Sequence, residues 1–261
     1  MTQLTSIDIL GRWSSNTVRD ERTSSLLINR NLLVECGPHT VEAMLNRNLD
    51  PLIVDSVAIT HMHLDHYVGL AEFLWYRAIY APGLPVTVLG PSGIGRNTMT
   101  LLKSVKTPES FDIKVEYRED TGFGDVTPFR ANHVIDDNGY RIEFAKSVLF
   151  YSGDTAYSEN VVRGAENADY LFHEMTYTDE KRKEADFWKH STYSDTIRAF
   201  TESHAKKLVP VHLTPPTLSL IMSSGFSTYT LLNQNISLSN NGNFKAITKT
   251  FGPEGMSNQL D

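Results

Sequence analysis

The amino-acid sequence predicts an α/β protein: two β-sheets packed together, with helices on their outer faces. Three observations carry that expectation. The first part of the chain alternates short apolar strands with helical patterns. The middle strings four short strands together with only turn residues between them, which a single doubly wound parallel sheet does not do. The chain also has 261 residues, 40% of them hydrophobic, enough for a sizeable buried core. No internal repeat or linker-like stretch interrupts it, so one domain is expected. Residues 1–216 would carry its body, and 217–261 would form an extension of it, a lid or a partly ordered tail.

The elements follow in order. LTSIDIL, SLLIN and NLLVEC read as strands, and PHTVEAMLNRN as a helix with Pro38 near its first turn. SVAIT is a short apolar strand. YVGLAEFLWYRAIY reads as a largely buried helix, with Trp75, Tyr76 and Tyr80 spaced as a core stripe. VTVLG is a strand, followed by a helix from Ser92 to Lys106 with Ser92 as its N-cap. IKVEY, DVTPFRAN, GYRIEFA and SVLFYS are the four consecutive strands. A helix near 158–165, the strand DYLFHE, the solvated charged run TDEKRKEADFWK, a helix near 194–206 and the strand LVPVH complete the body. The last 45 residues hold only four charged side chains and many Ser, Asn, Thr and Gly.

Charge and cysteine content narrow the functional classes. The net charge is −7, which gives no general attraction to nucleic acid or an anionic membrane. The single cysteine, Cys36, cannot form an intramolecular disulfide and reads as a packed core residue. No stretch approaches a membrane span, and MTQLTSIDILGRW lacks the pattern of a signal peptide. A cytoplasmic location is expected.

The chemistry concentrates in ITHMHLDHYVGL, where His61, His63, Asp65 and His66 fall within six residues. His61 and His63, two apart in an extended segment, point the same way and can grip one metal. Asp65 and His66 follow as the chain turns into a helix and can face a second. His133 ends the strand FRANH, Asp154 follows SVLFY in YSGDT, and His212 ends LVPVH. Each lies at the carboxyl end of a strand, where a common cleft forms. His133 would complete the first metal, His212 the second, and Asp154 would bridge both. Imidazole and carboxylate ligands suit two Zn²⁺ ions, with Mn²⁺ or Fe²⁺ accepting the same set. Such a pair, about 3.5–4 Å apart, shares a hydroxide and clamps a reacting oxyanion. His39 and His204 read as surface histidines, and His173 as structural. LGPSGIGR reads as a strand-to-helix turn before it reads as a phosphate loop.

HMHLDH, with His133, Asp154 and His212 in order behind it, resembles the HxHxDH pattern of the metallo-β-lactamase-fold hydrolases over residues 4–213. The resemblance implies a four-layer αββα sandwich of two mixed sheets with a dimetal site at one edge. A finer resemblance is to the RNase Z branch, the tRNA 3′-end processing endonucleases and their phosphodiesterase relatives. DILG, RTSSLLI, ECGPHT, LGPSG and YSGDT carry it. FHEMT at 172–176 is similar to that branch's His-Glu-x-Thr box, and HST at 190–192 to its His-Ser-Thr box. The resemblance implies that Glu174 and His190 form a proton-relay pair beside the metals, and that the chain pairs as a homodimer.

Four departures bear on the substrate. Only about twenty residues, filled by strands, separate His133 from Asp154, so the branch's tRNA-gripping arm has no room. SSNTVRDER stands where the branch has a basic motif, and LTPP follows His212 in place of Arg-Tyr. The chain is acidic, whereas gripping a full tRNA needs several cationic contacts. The expectation is therefore a phosphodiesterase acting on a small anionic substrate or short RNA, such as a cyclic nucleotide or an RNA end. A metal-bridging hydroxide would attack, Asp65 would orient it, and His190 held by Glu174 would protonate the leaving oxygen. The alternative keeps the site but hydrolyses a lactone, thioester or β-lactam.

Overall fold

The computed structural model describes residues 2–16, 18–19 and 21–223, and the backbone of 236–238 and 244–246. The strands are β1 (Ser6–Gly11), β2 (Ser25–Ile28), β3 (Leu32–Val34), β4 (Ser56–Ala58), β5 (Val86–Gly90), β6 (Val115–Glu119), β7 (Val126–Arg130), β8 (Asn138–Glu143), β9 (Val148–Tyr151), β10 (Tyr170–Glu174), β11 (Leu208–Val211), β12 (Ile236–Leu238) and β13 (Phe244–Ala246). The helices are α1 (Thr40–Leu45), α2 (Leu64–Tyr67), α3 (Gly69–Tyr80), α4 (Ile94–Ser104), α5 (Glu159–Gly164), α6 (Arg182–Trp188), α7 (Tyr193–Glu202) and α8 (Pro215–Ser223).

The strands form two mixed sheets. One has the order β13-β12-β1-β2-β3-β4-β5-β6, the other β11-β10-β9-β8-β7. Strands β3 to β6 are parallel, as are β9 to β11, while β8 runs antiparallel to both β7 and β9. Pro128 in β7 and Pro210 in β11 lie on the two edge strands of the smaller sheet, where a missing N–H costs no ladder bond.

Apolar side chains alternate to fill the space between the sheets. Ile7, Ile9, Leu26, Ile28 and Val34 face Tyr140, Ile142, Tyr151, Phe172 and Val209. Fully burying side chains of this size contributes roughly 1.5–3 kcal/mol each. Tyr140 Oη also donates to Ile59 O at 2.8 Å, tying the second sheet to the segment that leads into the histidine motif. The opposite faces of the larger sheet pack under α1, α3 and α4, with Leu33, Val57, Phe73 and Leu102 in the interface. Helices α5 and α7 cover the smaller sheet over Phe150, Leu171 and Leu208. This is the expected αββα order of layers.

Some local expectations need correction. Tyr80 does not join the core stripe of α3: it is 65% exposed and lies against the ring of Tyr76, 4.6 Å away, while Trp75 and Tyr76 stay packed on the core. Gly93, not Ser92, caps α4; its φ of 87° is a left-handed conformation that favours glycine, and the Ser92 N–H donates to Asp120 Oδ2 at 3.1 Å. The charged run at 178–189 is the helix α6 with a short 3₁₀ turn before it. Helix α8 runs across position 217, and β12 pairs antiparallel with β1. The lid or tail expected of 217–261 otherwise lies outside the described residues past Ser223.

Close backbone contact anchors the motif loop. A Cβ on Gly69 would lie 2.0 Å from Gly37 O, and one on Gly37 would lie 1.9 Å from Asp65 O. Gly69→Ala is therefore expected to destabilise the protein by about 3 kcal/mol, read as a lowered urea midpoint. An unchanged midpoint would show that the loop gives way freely.

Candidate metal centre

The carboxyl ends of β4, β7, β9 and β11 open on one edge of the sandwich and deliver the predicted ligands there. His61 and His63 leave β4 in extended backbone, with ring centroids 4.7 Å apart. The chain then turns into α2, with His63 at its N-cap position and Asp65 and His66 in its single turn. His133 follows β7, Asp154 follows β9, and His212 follows β11.

The structure brings all seven together in two groups. His61 Nε2 is 3.0 Å from His63 Nδ1, which is 3.3 Å from His133 Nε2. Asp154 Oδ2 lies 3.7 Å from His61 Nε2. In the second group, Asp65 Oδ2 is 3.3 Å from His66 Nε2 and 3.2 Å from His212 Nε2. Asp154 Oδ2 is 3.4 Å from both of those nitrogens, so one oxygen belongs to both groups. Tetrahedral zinc with bonds near 2.05 Å has ligand–ligand edges of about 3.3 Å. The spacings therefore fit two such polyhedra sharing a corner.

The far nitrogens of the rings explain why the near ones face inward. His66 Nδ1 bonds Glu35 Oε1 at 3.1 Å, His133 Nδ1 bonds Lys189 O at 3.1 Å, and His212 Nδ1 bonds Thr176 Oγ1 at 2.8 Å. Asp137 Oδ2 lies 2.8 Å from His61 Nδ1. Each partner holds a hydrogen on Nδ1 and leaves the Nε2 lone pair directed at the cleft. The buried His66 Nε2 and Asp154 Oδ1 have no hydrogen-bond partner, as ligand atoms awaiting a cation would.

Electrostatics agree. Burial, and then neighbouring imidazoles, depress His61 well below its usual range; burial also lowers His63 and His133. Neutral imidazoles are the ligand form. Burial opposes charge on Asp154 and Asp65, yet the surrounding histidines hold both carboxyls well below the usual range. At His66 burial disfavours a proton, but Asp154, Glu35 and Asp65 outweigh it and push the imidazole well up: the pocket favours positive charge at that point.

Glu174 and His190 meet beside the shared corner. Glu174 ends β10 and is fully buried. His190 Nδ1 is 2.8 Å from Glu174 Oε1 and 3.8 Å from Asp154 Oδ2. The Thr155 N–H donates to the same Glu174 oxygen at 2.7 Å, and the Thr176 hydroxyl donates to Oε2 at 2.5 Å. His190 is held by its successors. The Ser191 hydroxyl donates to Thr155 O at 2.6 Å, and Thr192 caps α7 in a capping box with Asp195. His173 is buried, its Nδ1 bonding Glu174 O at 2.8 Å. His39 is exposed and pairs with Glu42 at 3.2 Å.

Sequence reasoning assigned no role to Glu35, Asp137 or Thr176. Glu35 sits directly after β3, which runs parallel to β4, so it emerges beside Thr60 and His61. Asp137 escapes a search of strand carboxyl ends for a topological reason. Strand β8 is antiparallel to its neighbours, so its amino end lies at the active edge.

Residues 30–213 match the beta-lactamase superfamily domain. A ribonuclease Z from Limosilactobacillus fermentum is 26% identical over an alignment covering 79% of this chain and 87% of that protein. Among solved structures, the human tRNase Z short form superposes with a TM-score of 0.72 at 21% identity, covering 82% of this chain and 94% of the other. The metallo-beta-lactamase fold protein YhfI from Bacillus subtilis gives 0.71 at 19% identity, covering 87% and 95%.

Proposed function

We propose, starting from a chain that belongs to the beta-lactamase superfamily, that it is a metal-dependent hydrolase of the RNase Z-like phosphodiesterase kind, acting on a small or short phosphodiester such as a cyclic nucleotide or an RNA end. The observation that carries the choice is the pairing of buried Glu174 with half-buried His190 next to Asp154. The ribonuclease Z relatives support the same reading. His61, His63, His133 and Asp154 would hold one divalent ion, and Asp65, His66, His212 and Asp154 the other, with zinc the best match to the donor set. Bound there, the ions would activate water at neutral pH and offset charge on a phosphoryl group.

The chain's own residues supply the rest. Asp65 Oδ2 stands 3.3 Å from His66 Nε2 and 3.2 Å from His212 Nε2, the spacing of a carboxylate that would share a cation with both rings. Glu174 fixes the His190 ring through Nδ1, so Nε2 is the atom that can deliver a proton to a leaving alkoxide. A carboxylate–imidazole pair of this kind helps most when the leaving oxygen is a poor one, as a ribose oxygen is. The acidic chain and the short His133–Asp154 connection support short substrates over a whole tRNA.

The test is turnover of bis(p-nitrophenyl) phosphate by protein reconstituted separately with Zn²⁺ and Mn²⁺. Turnover that disappears in Asp65→Ala is expected. A fully loaded protein that leaves this diester intact but opens a lactone or β-lactam would overturn the phosphodiester assignment.

A further inference from the structure

We infer that Asp137 is a positioning residue that sets the affinity of the His61–His63–His133–Asp154 half of the centre for a divalent cation. The inference rests on the metal-centre reading above, not on any substrate.

Asp137 is fully buried at the amino end of β8. One oxygen, Oδ2, stands 2.8 Å from His61 Nδ1 and accepts the Asp154 N–H at 3.1 Å. A single carboxylate oxygen thus touches two of the four ligand residues, one through its ring and one through its backbone. The main chain extends the connection. Asp137 O accepts from the Ala131 N–H at 2.9 Å, two residues before His133. The Asn138 N–H donates to Thr60 O at 3.0 Å, one residue before His61. Three of the four ligands therefore sit on segments tied to Asp137 or its neighbour.

The second oxygen explains a glycine. Gly153, just before Asp154, has φ +64°, and a Cβ there would come within 2.2 Å of Asp137 Oδ1. The sequence Gly153–Asp154 thus leaves room for the carboxylate as well as adopting a left-handed turn.

The chemistry of His61 follows. Thr60 Oγ1 also faces Nδ1, at 2.9 Å, but its proton goes to Glu35 Oε1. Asp137 Oδ2 already accepts the Asp154 N–H, so both oxygens face Nδ1 as acceptors, and with Nδ1 donating to them Nε2 keeps its lone pair for the cleft. Without Asp137, Thr60 alone orients the ring, and the buried Asp154 N–H loses its acceptor. Glu35 does the corresponding work on His66 in the other half.

The experiment is zinc titration of the full chain, stripped with chelator and reloaded in competition with a chromophoric chelator. Unfolding in urea with EDTA monitors folding separately. Wild-type protein is expected to bind two equivalents. Asp137→Ala should weaken one equivalent roughly 10–100-fold and the other far less, because of its ligands only the shared Asp154 touches Asp137. Asp137→Asn, which keeps an oxygen for both contacts, should restore most of that loss. Should Asp137→Ala fail to fold, Gly153→Ala provides the second test: it crowds Oδ1 while every polar group remains, and it should weaken the same equivalent the most. A folded Asp137→Ala protein, or failing that Gly153→Ala, that binds both equivalents with wild-type affinity would overturn the assignment. Wild-type protein that takes up no zinc would overturn the metal-centre reading as well, so the two failures are distinguishable.

Discussion

Asp154→Ala is expected to strip both metal equivalents from the protein and to lower diester turnover by more than roughly 10³-fold. The reason is the shared corner. Asp154 Oδ2 lies 3.7 Å from His61 Nε2 and 3.4 Å from each of His66 Nε2 and His212 Nε2. Its removal takes a ligand from both groups and also the charge that balances two cations. Asp65→Ala should behave differently, because Asp65 contacts only His66 and His212. One equivalent should then persist in the His61–His63–His133 half, although turnover is lost. Asp154→Asn separates charge from shape: it fills the same space, yet it should lose metal nearly as fully as the alanine variant. Metal analysis of the three proteins decides the matter. An Asp154→Ala protein that retains two tightly held ions would refute the shared-ligand geometry. The change need not unfold the chain, since the Asp154 N–H and its bond to Asp137 survive in either variant.

Much of this candidate centre is legible in the sequence because its candidate ligands carry local signatures. His61, His63, Asp65 and His66 are contiguous, and their two-residue and one-turn spacings follow from backbone geometry alone. His133, Asp154 and His212 each follow a short apolar strand, so a rule about strand ends sufficed to gather them. The αββα layering was likewise visible in the switch from alternating strands and helices to four strands in a row. What stayed hidden depends on tertiary neighbours. Asp137 matters only because β8 runs against its neighbours, and Glu35 only because β3 lies parallel to β4. Thr176 acts through two contacts on different elements, Glu174 and His212. Neither Ser92 nor Tyr80 misled for lack of pattern. A glycine with φ of 87° took the cap position in place of the serine, and Tyr80 lies on the outer side of Tyr76 instead of on the core.

His190→Ala is expected to slow cleavage of a diester with a ribose leaving oxygen by on the order of 10²–10⁴-fold, while sparing most turnover of bis(p-nitrophenyl) phosphate, whose leaving group departs without help from an acid. Equal losses on both substrates would assign His190 to binding or structure instead. The pH dependence gives an independent reading. Burial disfavours a proton on His190, but the Glu174 and Asp154 carboxylates outweigh it and push the imidazole up to about 9. As an acid it works while protonated, so the ribose-leaving reaction should fall as pH rises through its pKa. Cations on Asp154 reduce that carboxylate's pull and move the fall below 9 in the loaded protein. In metal-stripped protein His66, also pushed up, titrates alongside, so the pair is read from the difference between wild type and variants. A folded pKa raised above the ordinary 6.5 means the imidazolium adds stability that is fully present below about pH 6.5 and is lost as pH climbs through about 9. The contribution is on the order of 3 kcal/mol, and urea unfolding across pH 6–10 in EDTA measures it. His190→Ala should reduce that slope between 6.5 and 9, leaving the part due to His66, and Glu174→Gln, which keeps the hydrogen-bonding shape but removes the charge, should reduce it too. A wild-type slope surviving in both variants would place the titrating group elsewhere and remove the electrostatic basis for the relay.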